Sequence, residues 1–347
     1  MPYKSKILSI DGGGIRGLIS AKILAKIEEL TGKKISQMFD LIAGTSSGSL
    51  LAAGLTKPNP NNPQEPAYTA EQLVEIFRGQ DGKDIFYEPF LERLTKVDDI
   101  IRPKYSSKGR DEVLTKYFGD IHIEEALTEL FITSYDITLR LPVFFTSKVS
   151  KEEQKSRFFR KISTGFKMKQ ATMASSAAPT YFEPYQVPTN HPDTNGFYVL
   201  VDGGVFANNP ASLAIMEVII DKKKVGEKID LDEILVVSVG TGSLTRRFPY
   251  EQAKNWGLLG WLEPLLNITL DGSSESVAVQ LEQLLPKAQD KPSQYYRFQG
   301  FLDKGKGNDN IDVTDLQNIK NLEDLADEII GAMSKREWDE LCQQLLS

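Results

Sequence analysis

Gly44-Thr45-Ser46-Ser47-Gly48 fits G-x-S-x-G and lies between the apolar run Phe39-Asp40-Leu41-Ile42-Ala43 and a helical pattern over Leu50 to Leu55. A serine at such a strand-to-helix turn is held in a strained backbone state with its hydroxyl above the sheet edge, and the flanking glycines Gly44 and Gly48 let strand and helix approach closely. Ser46 is therefore the candidate nucleophile. A serine hydroxyl is a poor nucleophile at neutral pH and needs a base. Histidine is the usual supplier, yet the sequence holds only two, His122 and His191. In the α/β-hydrolase order a histidine follows the acid, and nothing after His191 can fill that place. His191 sits in a proline-flanked stretch and reads as a solvated loop residue; His122, between Ile121 and Ile123, reads as structural. The base is then a carboxylate. Asp202 ends the apolar run Phe197 to Val201 and precedes Gly203 and Gly204, so it is expected at the carboxyl edge of the sheet beside Ser46, where open α/β sheets place ligands. It would accept the Ser46 proton during attack and later deprotonate the water that cleaves the acyl-enzyme. Burial and a short serine-aspartate hydrogen bond must raise its basicity above that of a free aspartate, whose pKa is about 3.9.

A second glycine turn, Asp11-Gly12-Gly13-Gly14-Ile15-Arg16-Gly17, also fits the dinucleotide fingerprint G-x-G-x-x-G. That reading fails. Asp11 would face a pyrophosphate, and the acidic residue expected after a second strand is missing, because Asp40 precedes its strand. A glycine-rich turn at a helix N-terminus instead offers free backbone N–H groups to the oxyanion of a tetrahedral intermediate, with Gly13 and Gly14 the preferred donors. Arg16 either holds this loop or meets a lipid phosphate.

The elements that must position these groups alternate. Lys6 to Ile10 reads as a strand, and Ile19, Ile23, Ile27 and Leu30 recur at helical spacing after the first turn. Lys57 to Pro66, with four prolines, reads as an exposed loop. Ala70 to about Gly119 gives mixed helical signals and is taken as an insertion or lid. Strands return at Leu130 to Thr133, Pro142 to Phe145 and Phe197 to Val201. Lys167 to Ala178 and Ala211 to Ile220 read as helices, the second opened by Asn209 as N-cap and Pro210 in its first turn. Ile234 to Val239 is the last clear core strand, and Ser334-Lys335-Arg336-Glu337 is a capping box for the final helix. Strands alternating with helices imply a mainly parallel sheet covered on both faces.

Composition narrows the function further. The chain has 347 residues, enough for a large core, and 41 Lys and Arg against 48 Asp and Glu, a net charge of −7 that gives nucleic-acid binding no support. Its single cysteine, Cys342, excludes internal disulfides and cysteine-based zinc sites and fits a reducing compartment. No apolar run is long enough to span a membrane. Lys4 and Lys6 precede only the short stretch Ile7 to Ile10, so no secretory signal is expected and the cytoplasm is the expected location.

In order along the chain, Asp11-Gly12-Gly13-Gly14-Ile15-Arg16-Gly17, Gly44-Thr45-Ser46-Ser47-Gly48 and Asp202-Gly203-Gly204 resemble the three signatures of the patatin-like phospholipases. Ala174 to Phe182 resembles the family's small-residue helix end, and Asn208-Asn209-Pro210 resembles the segment after its aspartate. The resemblance covers about residues 5 to 242. It implies a three-layer α/β/α sandwich with a mainly parallel central sheet, a catalytic domain over 5–242 and a mostly helical C-terminal extension or cap over 243–347. It also implies a Ser46-Asp202 dyad, an oxyanion hole in Gly12, Gly13 and Gly14, no metal or other cofactor, and hydrolysis of acyl esters of membrane lipids at a membrane or micelle surface. Asn255 to Leu262, with Trp256 and Trp261, either docks on lipid or packs in the core. Three other readings remain on this fold: a thioesterase or transacylase, which would want a histidine base; a storage or binding protein; and a membrane-degrading effector switched on by a cyclic nucleotide. Oligomeric state is left open.

Overall fold

Described in the computed structural model are residues 3–86, 103–148, 158–162, 165–192, 194–244, 247–285, 292–302 and 310–347. Among these residues nine strands form the main sheet: β1 (Ser5–Ile10), β2 (Leu41–Gly44), β3 (Glu129–Asp136), β4 (Leu141–Thr146), β5 (Arg160–Ile162), β6 (Tyr185–Pro188), β7 (Phe197–Asp202), β8 (Ile234–Val239) and β9 (Tyr295–Phe298). The order β9-β8-β1-β2-β3 is parallel throughout; β4 then pairs antiparallel with β3 and parallel with β5. The antiparallel pair β6-β7 joins through β7, which runs antiparallel to the far end of β3.

Strands covered on both faces read as near-continuous apolar runs, and the buried strands β2 and β8 have that pattern, interrupted in β8 only by Ser238. Alternate residues point to opposite faces. Leu8, Ile10, Ile42, Leu130, Val237 and Val239 pack toward α1 (Gly17–Thr31), α2 (Ser47–Thr56), α3 (Ala70–Arg78), and toward the helices Leu316–Ala332 and Lys335–Leu346 near the C-terminus. Ile7, Leu41, Ala43, Phe131, Ile234 and Val236 face the other way, onto the helix Ala211–Lys224 and the end of the long helix Leu258–Leu284. The result is the expected three-layer α/β/α sandwich. Among the described residues no helix is long and apolar enough to cross a membrane.

Several expectations change. Val239 does not end the core sheet, because β9 pairs parallel with β8 and forms its edge. Tyr295-Tyr296-Arg297-Phe298 escapes the apolar pattern because an edge strand has one neighbour and because its arginine is buried in an ion pair. Lys57 to Pro66 contains a small antiparallel hairpin, Pro58–Asn59 against Asn62–Pro66, in which prolines are tolerated because no ladder continues beyond them. The helix after Asn209 starts at Ala211 as expected and runs on to Lys224, but Pro210 and not Asn209 is its cap, with Asn209 Oδ1 accepting from Ala211 N at 3.1 Å. The region read as an insertion or lid contains α3, a short helix Gln80–Ile85 and α4 (Ser107–Phe118), while residues 87–102 lie outside the described part. The capping box at Ser334 and Glu337 forms as read.

Candidate active site

β2 ends at Gly44, and the chain turns sharply into α2 through Ser46, which adopts φ 54° and ψ −123°. That left-handed conformation is strained for a residue with a Cβ and holds the hydroxyl clear of the helix. The turn is tight enough that a side chain at Gly48 would overlap the carbonyls of Ile10 and Asp11, and one at Gly44 would overlap the Gly48 backbone. Thr45 anchors the turn from behind, bonding Thr133 Oγ1 at 2.7 Å and donating to the Ala207 carbonyl at 2.8 Å.

Asp202 reaches Ser46 by a route the sequence did not show. β2 and β7 share one edge of β3, end to end: Gly44 stands opposite Ile132 and Asp202 opposite Ser134. Because β7 is antiparallel to β3, its carboxyl end points at that of β2, and the two side chains meet across the gap. Ser46 Oγ donates to Asp202 Oδ2 at 2.6 Å, while Asp202 Oδ1 accepts from Gly204 N at 2.7 Å. Asp202 is 3 % exposed. Burial pushes its carboxyl up to about 6, against the pull of the Ser46 and Gly204 hydrogen bonds and of the Arg110 charge. Gly203 packs against Thr133, where a side chain would clash. The small-residue segment Ala174 to Ala178 ties both halves together: Ser175 Oγ accepts from Ser46 N at 2.9 Å, and the Ala177 carbonyl accepts from Asp202 N at 2.9 Å.

The glycine loop after β1 faces the same point. Gly12, expected within the oxyanion hole, has its N–H bonded to the Asn208 carbonyl at 3.1 Å, so it fixes the loop and is not a free donor. Its own carbonyl accepts from Thr241 Oγ1 at 2.8 Å and from Asn208 Nδ2 at 3.3 Å. The N–H groups of Gly13 and Gly14 have no partner among the described residues. Gly14 takes φ 59°, and a side chain there would overlap the Ile311 carbonyl. Asp11 turns away into a bidentate pair with Arg297, at 3.0 and 2.7 Å, and accepts from Ser274 Oγ at 2.6 Å. Arg16 is buried, its guanidinium directed at the carbonyls of Gly13 and Gly242 at 3.4 and 3.3 Å, contacts that hold the loop. Gly17 opens α1 against the Phe77 ring.

Two adjoining cavities meet at Ser46. One, lined by Gly13, Gly14, Asp202, Asn208, Leu266 and Leu270, holds the polar groups. The other is an apolar cleft walled by Leu50, Phe77, Phe86, Leu114, Phe182 and Ile311, with Arg110 in its lining. Neither histidine lines either cavity. His191 is buried beside Tyr198 rather than solvated, and His122 caps a short turn and is partly exposed. Sequence reasoning missed Arg110, Arg297 and Ile311, since no motif marks them. Ser175 lay within a recognised stretch but had no assigned role. Trp256 and Trp261 pack on each other edge-to-face at 5.0 Å, with Trp261 exposed and neither in the core.

The model of the patatin-like phospholipase family matches residues 8–215. Patatin-like protein 1 of Arabidopsis thaliana is 31% identical over 342 residues, covering 92% of this chain and 79% of that protein. The protein named "Probable inactive patatin-3-Kuras 1" of Solanum tuberosum is 31% identical over 312 residues, covering 84% and 78%. Among solved structures, VipD from Legionella pneumophila aligns over 96% of this chain and 67% of its own at 10% identity and a TM-score of 0.39, too distant a likeness to carry weight. On the family match and the curated relatives, the chain belongs to the patatin-like phospholipases, a family of lipid acyl hydrolases.

Proposed function

We propose that this protein hydrolyses carboxylic esters of membrane lipids, in the manner of a phospholipase A or lysophospholipase, with Ser46 as nucleophile and Asp202 as base. The observation that carries the reading is the 2.6 Å contact between Ser46 Oγ and Asp202 Oδ2 at a strained strand-to-helix turn. As Ser46 Oγ bonds to the ester carbonyl carbon, its proton passes to Asp202, and the carbonyl oxygen becomes an oxyanion facing Gly13 and Gly14 N–H. Collapse expels the alcohol, which takes the proton from Asp202 and leaves an acyl-enzyme. Water then attacks the acyl carbon, giving its proton to Asp202, and the fatty acid leaves as Ser46 regains its hydrogen. The apolar cleft suits the acyl chain. One relative is named as inactive, so activity rests on this geometry more than on kinship.

In the same reading residues 5–242 carry the dyad and residues 243–347 complete the site through Ile311 and Leu270. The helix that contributes Leu266 and Leu270 to the lining also turns Leu258, Leu259, Leu262 and Leu265 outward, with Leu258 89 % exposed. From Leu258 to Leu270 the sole charged residue is Glu263. This face is the surface on which the enzyme, a peripheral protein of the cytoplasm, meets the lipid. Hydrolysis of a panel of p-nitrophenyl esters and phospholipids by wild type, Ser46→Ala and Asp202→Asn tests the mechanism. Each substitution is expected to lower kcat at least about a hundredfold, the range for a lost general base. Activity that survives either one contradicts the dyad.

A further inference from the structure

Arg110, in the first turn of α4, is the sole charged residue lining the apolar cleft at Ser46 among the described ones. It is 2 % exposed. Its Nη1 donates to the carbonyl of Ser176, and the guanidinium carbon lies 4.2 Å from the centre of the Phe182 ring, so both the plane and the rotation of the group are set. Nε and Nη2 have no hydrogen-bond partner among the described residues. In an arginine these two N–H groups lie side by side on one edge and form the fork that matches two oxygens of a phosphate or carboxylate.

A buried guanidinium with that edge unmatched destabilises the fold, so a purely structural role accounts for it poorly. Arg297, its side chain 9 % exposed, differs in that both terminal nitrogens close on Asp11 and only its Nε is unmatched among the described residues. Asp202 does not serve Arg110 in this way, since its oxygens accept from Ser46 and Gly204. Even so, Arg110 stands near enough for its charge to favour the ionised Asp202. The guanidinium lies at the dyad end of the cleft by its contacts: Ser176, whose carbonyl it meets, follows Ser175, whose Oγ accepts from Ser46 N, and Arg110 and Ser46 line the same cleft. Burial draws the guanidinium down to about 10, which leaves it charged at neutral pH.

We propose that Arg110 binds an oxyanion, phosphate or carboxylate, carried by the lipid ester a few bonds from the scissile carbonyl, and thereby makes the enzyme selective for anionic over neutral esters. This rests on the Ser46-Asp202 reading and names the substrate class of that site. Arg16 does not compete for the role, as its guanidinium faces the carbonyls of Gly13 and Gly242.

The test compares hexanoylglycerol phosphate with hexanoylglycerol, and the p-nitrophenyl monoester of glutaric acid with p-nitrophenyl pentanoate, all below micellar concentrations. Wild type is expected to favour at least one anionic member by about tenfold or more in kcat/KM, chiefly through KM, as befits a charge-assisted pair of hydrogen bonds. The first pair reads phosphate and the second carboxylate. Arg110→Gln is expected to bring that ratio near one, and Arg110→Lys, a charge without the fork, to fall between. Inorganic phosphate that competes in wild type but not in Arg110→Gln assigns free anion binding to the same fork. No preference in wild type overturns the proposal, and this holds even if Arg110→Gln fails to fold. Equal losses on both members of each pair in a folded Arg110→Gln also overturn it. Should Ser46→Ala abolish hydrolysis of all four esters while the wild-type ratios are near one, the dyad stands and only the role of Arg110 falls.

Discussion

Burying the carboxyl of Asp202, the proposed base, destabilises the fold. Loss of hydration pushes the carboxyl up to about 6, from an ordinary value of 3.8. In the proposed mechanism the carboxylate is the active form, so kcat/KM on a soluble ester should rise as pH passes through about 6 and level off above it; a flat profile across that range would argue against Asp202 as base. The stability effect has the opposite sense. A carboxyl whose pKa is raised on folding favours the native state fully below its unfolded value, and that advantage is lost as pH rises through about 6. Asp202→Asn removes the buried charge and should stabilise the protein by about 2–3 kcal/mol near pH 8, with the gain fading near pH 4. Chemical denaturation at the two pH values checks this, and an equal gain at both would show that charge is not the cause. Ser46 and Asp202 were legible because each sits in a short pattern whose neighbours are glycines. Arg110 was not, because Ser107 to Phe118 carries the charged, mixed pattern of a surface helix and nothing local reveals that Arg110 is buried while Lys108 is exposed.

At the scale of elements, the sequence disclosed which segments are strands better than how they run. Asp202 was expected beside Ser46 as a neighbour along one carboxyl edge. The proximity is real, but it arises because β7 enters antiparallel and meets β2 head-on along β3. Direction depends on the connection through β6, whose short, half-polar residues give no signal of pairing. β9 was hidden for a related reason, since its arginine breaks the apolar run. Through Asp11 that arginine, together with Ser274, links the glycine loop to the C-terminal part of the chain, and the Ile311 carbonyl does so as well. Replacing one member of a buried pair leaves the other charged and unmatched, at about 3–5 kcal/mol. Arg297→Gln and Asp11→Asn should each destabilise by that order and slow ester hydrolysis by loosening the Gly12 to Gly14 loop. The double variant should recover part of the stability, and strict additivity in urea denaturation would contradict a direct coupling.

Across the whole molecule, the layered sandwich was readable from alternating strands and helices, whereas the outer face of the long helix Leu258–Leu284 was left between lipid contact and core. Its apolar residues stand in solvent, and the net charge of −7 gives little attraction to anionic surfaces, so binding to lipid should rest on apolar insertion. Leu258→Ser with Leu262→Ser should reduce cosedimentation with zwitterionic vesicles by about tenfold while hydrolysis of a soluble ester persists. Unchanged sedimentation would remove this face from the account. The proposed mechanism requires that a hydroxyl and a carboxylate 156 residues apart in the chain act as one reactive unit. Intact-mass measurement after exposure to a fluorophosphonate tests it most directly. A single adduct is expected on Ser46, absent in Ser46→Ala and formed far more slowly in Asp202→Asn. Labelling that persists in Ser46→Ala, or that proceeds at the wild-type rate in Asp202→Asn, would contradict it.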